Sequence, residues 1–262
     1  MVDLSITIVA YHNYDDIINV VNSIEKNTDN KIKKVIYIVD NSVCNTDNLI
    51  KKKDEFVTSI SVYSDVEYIY CNDNLGFGKG HNFVLEQLDS KYHAIVNPDI
   101  LVNEDVFSKI MHYMDSDASI GMVIPRLTDE EGNLLKVYRN EIAFRDLFIR
   151  MFLSCFFKKR QDYHTMQYED FNKPFQVPFG QGSFLVVRTQ LFKHIGGFDD
   201  RYFMYMEDAD LCKRINQISK LMYYPDATVV HKWERGSHKS WKLMKIHIYS
   251  MIAYFKKWGF KW

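Results

Sequence analysis

The order of the apolar runs constrains this chain more than any other feature. Residues 4–10 ("LSITIVA") and 34–39 ("KVIYIV") are short Ile- and Val-rich runs. Between them, residues 14–26 carry Ile17, Ile18, Val21 and Ile24 at helical spacing. Two further runs, 68–70 and 94–96, flank a helical stretch at 81–88. Strands that alternate with helices pair in parallel through right-handed crossovers, so an α/β fold with a mostly parallel sheet is expected. Ligands of such sheets bind beyond the carboxyl ends of the strands. The polar residues after these runs, at 11–13, 40–42, 72–74 and 97–99, are therefore expected along one edge.

The later part of the chain reads differently. A strand is expected at 122–124, and a glycine turn feeds another within 179–188 ("FGQGSFLVVR"). Residues 145–160 ("RDLFIRMFLSCFFKKR") form an apolar, aromatic helix candidate bounded by basic residues. With no internal repeat or low-complexity linker, one domain over 1–238 is expected. Its nucleotide-binding half runs to about 99 and a second half covers 100–238, followed by a basic, aromatic helix at 239–262.

Composition narrows the function classes. The chain is 47% hydrophobic and 15% aromatic, ample for a folded core. A net charge of −1 argues against a general nucleic-acid binder. Four cysteines with no C-x-x-C pair fit reduced thiols better than a disulfide framework or a zinc site. The first strand begins almost at once, with no signal-peptide pattern, and no run approaches the roughly 20 apolar residues of a membrane span. These features point to a cytoplasmic protein.

Four motifs carry chemistry. "NPDI" places Asp99 just beyond a buried strand. A hard cation takes oxygen ligands and often only one or two protein carboxylates, while Asn-Pro-Asp is also ordinary turn chemistry. "NDNLGFGKGHN" (72–82) is a glycine-rich loop opening a helix, where backbone N–H groups can approach a phosphate; a plain loop with a helix cap reads equally well. "GGFDDRYFMYMEDADLCKR" (196–214) sets Glu207, Asp208 and Asp210 in a first helical turn. The helix dipole favours ionised carboxylates there, and one near a substrate hydroxyl can act as a general base. Capping and an Asp210–Arg214 pair account for Asp210, but they leave Phe198, Tyr202, Phe203 and Tyr205 around the acids unexplained. His231 follows a strand, where a histidine either ligates a metal or caps the edge.

Taken in order, "IVAYHN", "IVDNS", "NLGFGKGHN", "NPDI", "GQGSFLVVR", the 196–214 block and a late "VVH…GSH" resemble the family 2 glycosyltransferases, and within them the bacterial rhamnosyltransferase-like branch. The resemblance implies an A-type glycosyltransferase fold, a Rossmann-like nucleotide-binding half joined to an acceptor-binding half. It also implies a nucleotide-diphospho-sugar donor, Mg²⁺ or Mn²⁺, and inversion at the anomeric carbon. It assigns Ala10, Tyr11 and Asp40 to the base and ribose, and Asn74, Gly76 and Asn82 to the nucleotide loop. Asn13 and Asn97 join the nucleotide site. Asp99 and His231 fall to the metal, and Asp208 to the catalytic base, with Glu207 beside it. Two positions depart from the family pattern: His12 stands where many members have Asn, and Asn97 replaces the first acid of the Asp-x-Asp motif. The second departure leans toward dTDP-L-rhamnose as donor, against UDP-hexoses or UDP-galactofuranose.

In this family the acceptor is a glycan, often on a polyprenyl diphosphate, which implies peripheral contact with the cytoplasmic face of the cell membrane. From residue 232 onward the chain carries eight Lys or Arg against Glu234, mixed with Trp and Tyr as in an interfacial helix. Packing onto the catalytic domain or onto a second copy in a homodimer is the alternative for this tail and for 145–160. A nucleotidyltransferase lacks support, because no glycine-rich N-terminal loop is followed by Arg and Lys. A dehydrogenase lacks its dinucleotide fingerprint. A non-catalytic sugar-nucleotide or glycan binder is disfavoured by the presence of Asp99, Asp208 and His231.

Overall fold

The computed structural model describes residues 1–152, 156–232 and 241–260. Strands β1 (Val2–Ala10), β2 (Lys34–Asp40), β3 (Val66–Tyr70) and β4 (Ser90–Val96) are parallel, in the order β3-β2-β1-β4. Helices α1 (Tyr14–Asn27), α2 (Asp47–Ile60) and α3 (Phe77–Asn82) connect them. The face of α1 formed by Ile17, Val20, Val21 and Ile24 is fully buried, as its spacing requires.

The sheet continues beyond β4 as β10-β6-β11-β5. Here β5 is Ile100–Val102, β6 Ile120–Thr128, β10 Phe184–Arg188 and β11 Lys220–His231, while α4 (Val106–Ser116) joins β5 to β6 and α7 (Thr189–His194) follows β10. Strand β10 is antiparallel to both β4 and β6, so the direction reverses once in mid-sheet, and β11 returns parallel to β6. Short β5 closes the edge, antiparallel to the end of β11. The carboxyl ends of β1, β2, β4 and β11 thus share one edge with the amino end of β10. The two-residue strands β7 (Tyr138–Arg139) and β9 (Phe179–Gly180) form a separate ribbon, and β8 (Phe175–Gln176) pairs with β11.

Two expectations change. The helix expected at 81–88 ends at Asn82, and single turns follow, with Leu85 N–H donating to the Asn82 carbonyl and Gln87 N–H to that of Val84. It starts earlier because Gly76, at φ +82°, sets the turn into α3. The stretch 145–160 is not one helix: α5 (Phe144–Phe152) and α6 (Lys158–His164) are separate, with 153–155 outside the described residues. The Arg160 guanidinium binds both oxygens of buried Asp146, so this basic boundary folds back onto α5 rather than standing free. The tail forms α9 (Trp241–Trp258), whereas "GSH" at 236–238 lies outside the described residues. Among the described residues no helix is long and apolar enough to cross a membrane.

Candidate active site

The expected edge is present, and hydrogen bonds fix how each candidate sits on it. At the end of β2, Asp40 is fully buried. Its Oδ2 accepts from the hydroxyls of Tyr14 (3.0 Å) and Tyr68 (2.6 Å), and its Oδ1 accepts from Ser42 N–H. Burial first, and then Asp40, hold the Tyr68 phenol far above its ordinary range. A nucleotide base reaching Asp40 must share an oxygen with these groups. Tyr11 is half exposed at the end of β1, past buried Ala10, and its N–H donates to Asn13 Oδ1. Asn13 therefore shapes the β1–α1 turn, in which His12 takes φ +60° and donates its N–H to Ser42.

The glycine-rich loop is stitched to the segment before the acids. Asn74 Oδ1 accepts from Gly76 N–H, Asn41 donates to the Gly76 carbonyl, and Phe77 N–H donates to the Phe203 carbonyl. A Cβ on Gly76 would collide with that same Phe203 carbonyl, so only glycine fits. Asn82, expected in the nucleotide loop, is hydrogen-bonded to the 197–200 loop. Both of its amide protons go to the Phe198 carbonyl and Asp200, and its oxygen accepts from Phe198 N–H. It staples the 197–200 loop, with both amide protons already donated. Beneath the loop, His81 is fully buried between the rings of Phe77 and Phe198. Burial, with a smaller contribution from His93, pushes its pKa down to about 3 and keeps it neutral.

Asp99 and His231 are brought together across 132 residues by the β5–β11 pairing, with Oδ2 3.0 Å from Nε2. The Asp99 carbonyl also accepts from Lys232 N–H at 2.8 Å. The other Asp99 oxygen, Oδ1, is buried without a partner among the described residues. A buried carboxylate oxygen left unpaired is costly unless something occupies it, so the pair fits a hard divalent cation. Among the described residues no group of three or more His, Cys, Asp or Glu gathers, and a hard cation often takes only one or two protein ligands, with water and phosphate oxygens completing its shell.

Asp208 opens α8 (Glu207–Ile218) and faces the Gly182–Ser183 turn. Its Oδ2 accepts from Gly182 N–H at 3.2 Å, and a Cβ on Gly182 would stand 3.0 Å from the Asp208 Cβ. The adjacent Ser183 carbonyl accepts from Asn97 N–H at 2.8 Å. One turn thus holds the base candidate on one side and the strand end leading to Asp99 on the other. Asn97 Oδ1, Ser183 Oγ and Glu207 Oε2 are all buried with no partner among the described residues. Burial, then the neighbouring Asp208 charge, pushes the Glu207 pKa up to about 8, so Glu207 holds its proton at neutral pH.

The chain enters α8 through Tyr205 (φ +69°) and Met206 (φ +68°), successive left-handed residues that are not glycine. Each such residue stores roughly 1–3 kcal/mol that its surroundings must offset. The aromatics around the acids now have roles. Phe198 and Tyr202 are core residues, and Phe203 offers the carbonyl that anchors the nucleotide loop. The Tyr205 ring packs 4.7 Å from that of His247. The Asp210–Arg214 pair is present at 2.7 Å. Sequence reasoning missed that Asp210 also binds Lys257 (2.7 Å) and the Trp258 indole N–H (2.8 Å) on α9, and that buried Ser183 ties the Gly182 turn to Asn97. The glycine turn before Ser183 was the available signal.

A sheet reversed once by β10, with its site at the strand ends, is the A-type glycosyltransferase fold. The solved structure of GalNAc-T7 with UDP, GalNAc and Mn²⁺ superposes on it with a TM-score of 0.65 at 15% identity, covering 90% of this chain and 44% of that one. The chain belongs to glycosyl transferase family 2, whose sequence profile matches residues 5–196. It is 27% identical over 187 residues to the N-acetylglucosaminyl-diphospho-decaprenol L-rhamnosyltransferase of Mycobacterium tuberculosis, aligning over 66% of this chain and 61% of that protein's length. It is 25% identical over 201 residues to rhamnosyltransferase WbbL of Escherichia coli, aligning over 73% of this chain and 74% of that one.

Proposed function

We propose that this protein is an inverting glycosyltransferase that moves L-rhamnose from dTDP-L-rhamnose onto a glycan or polyprenyl-diphosphate-linked acceptor in cell-surface polysaccharide synthesis. The observation that carries this reading is the Gly182–Ser183 turn, which holds Asp208 and the Asn97–Asp99 strand end against one another. The two rhamnosyltransferase relatives support the choice of sugar. Asn97 in place of a second acid leaves the cation site less negative.

In the reaction, Asp208 takes the proton of the acceptor hydroxyl while that oxygen bonds to C1 of the donor sugar. The bond from C1 to the diphosphate oxygen breaks on the opposite face, and its electron pair leaves with the nucleotide diphosphate. A correctly placed base contributes typically about 10²- to 10⁴-fold in rate. Glu207, protonated at neutral pH, adds no anion beside Asp208. Asp99 and His231 would hold the divalent cation, which neutralises charge on the leaving diphosphate. Ala10, Tyr11, Asp40, Asn74 and Gly76 border the nucleotide. A cleft of about 530 Å³ beside Ala209, with Glu141, Gln176, Lys213 and Gln217 as polar groups, suits the acceptor glycan.

The outer side of α9 supports contact with the cytoplasmic membrane face. Trp241 is 83% exposed and Tyr249 73%, with Ile248, Ile252, Lys242, Lys245 and Lys256 alongside and no acidic residue in the helix. Each Lys near an anionic leaflet contributes roughly 1 kcal/mol. Liposome flotation of a Lys242→Glu/Lys245→Glu variant checks this; unchanged binding to anionic vesicles refutes it, and a dimer seen in solution assigns the face to a second copy instead.

The test of the reaction is Asp208→Asn, expected to lose at least about 100-fold in kcat while still binding donor. Near wild-type turnover refutes the assignment. Calorimetric titration of dTDP-L-rhamnose against UDP-glucose and UDP-galactose tests the donor, and tighter binding of a UDP-sugar overturns it.

A further inference from the structure

The two left-handed residues before the catalytic carboxylates need an external support, and the contacts show where it comes from. Ser250 Oγ donates to the Met204 carbonyl at 2.8 Å, and the His247 ring packs on the Tyr205 ring. Lys257 reaches Asp199 (2.6 Å) and Asp210, and Trp258 donates to Asp210. These residues recur at helical spacing on one side of α9, with buried Tyr254 between them. They touch the chain before, within and after the turn. On the turn's other side, the Phe203 carbonyl is held by the nucleotide loop. The turn is thus clamped between the donor loop and α9.

We propose that α9 is a brace for the catalytic base. His247 and Ser250 are positioning residues that keep Met204, Tyr205 and Met206 in the conformation that aims Asp208 at the acceptor hydroxyl. Neither has to touch substrate. This role rests on the transferase reading above for its effect on rate, but the geometry of the turn does not. The outer face of α9 is exposed, so whatever covers that face acts on the same helix that holds the turn.

The experiment uses the full chain carrying His247→Ala/Ser250→Ala, with His247→Phe as the variant that keeps the ring. Turnover of dTDP-L-rhamnose, and of UDP-glucose, with Mn²⁺ and a synthetic lipid-linked acceptor gives kcat and KM. Calorimetry with dTDP and UDP gives nucleotide binding, and amide hydrogen exchange follows residues 204–210. The double variant is expected to lose about 10- to 100-fold in kcat, the scale of a misplaced catalytic group, with nucleotide Kd within about twofold. Its 204–210 amides exchange faster while those of β1 to β4 do not change, and His247→Phe recovers most of the rate. Unchanged exchange at 204–210, or wild-type kcat in the double variant, overturns the brace. Loss of nucleotide binding in step with rate does so as well. If the wild-type protein turns over neither donor, the functional reading fails, and the exchange measurement still decides the brace.

Discussion

Glu207→Gln offers a sharp check on the electrostatics of the acid pair. Glu207 is buried, its Oε2 has no partner among the described residues, and its pKa rises from an ordinary 4.5 to about 8, chiefly through burial and then through Asp208. The folded protein therefore holds a proton that the unfolded chain releases at lower pH. Stability from this group is fully present below about pH 4.5, falls as pH rises toward 8, and levels off above it. At about 1.4 kcal/mol per pH unit, wild type forfeits roughly 3 kcal/mol by pH 7 and at most about 5 above pH 8. Glutamine keeps the shape without the ionisation. The difference between variant and wild type in denaturant unfolding is expected to be small at pH 4.5 and to grow in favour of the variant through pH 8. Repeating the series in an Asp208→Asn background should shallow the slope, because the neighbouring charge is the second cause of the shift. A pH-independent difference between 5 and 8 would refute the picture of a neutral Glu207.

Two further predictions concern the supports around the site. Lys257→Met leaves fully buried Asp210 with Arg214 and Trp258 but removes the charged contacts of Lys257 to both Asp210 and Asp199. It is expected to cost about 2 kcal/mol in urea unfolding, and an unchanged midpoint would show that Arg214 suffices. Mn²⁺ together with dTDP at about 100 times the apparent Kd should stabilise wild type by about 2.7 kcal/mol; Asp99→Asn should abolish that increment in thermal melts, and persistence of the full increment would place the cation elsewhere.

The elements that sequence made legible are those whose signal is local. The β1–α1–β2 unit follows from Ile and Val spacing, and its boundaries moved by only a residue or two. Strand β10 illustrates the opposite case. Nothing in "FLVVR" says that it runs antiparallel between β4 and β6, because register between distant strands depends on which partners remain open. The same holds for β5, three residues long, whose pairing with β11 creates the Asp99–His231 contact. Residue type identified polar candidates but not the partners that already occupy them. Asp40 and Asn82 are both polar residues beside the nucleotide loop, yet one faces two tyrosines and the other is spent on the 197–200 loop. Composition marked the tail as basic and aromatic, but only its packing separates the side that grips Asp210 from the side left exposed.

The β5–β11 pairing has a consequence for how such a protein can diversify. Asp99 and His231 sit at the two ends of a long excursion of the chain, held to each other by backbone hydrogen bonds that do not depend on the excursion's details. Within it, the β7–β9 ribbon, α5, α6 and β8 lie outside the ladder that joins the two residues. Insertions or replacements in those elements can reshape that side of the molecule while Asp99 and His231 stay in register. The pairing acts as a modular socket: one backbone joint that holds its two side chains together whatever is threaded between them.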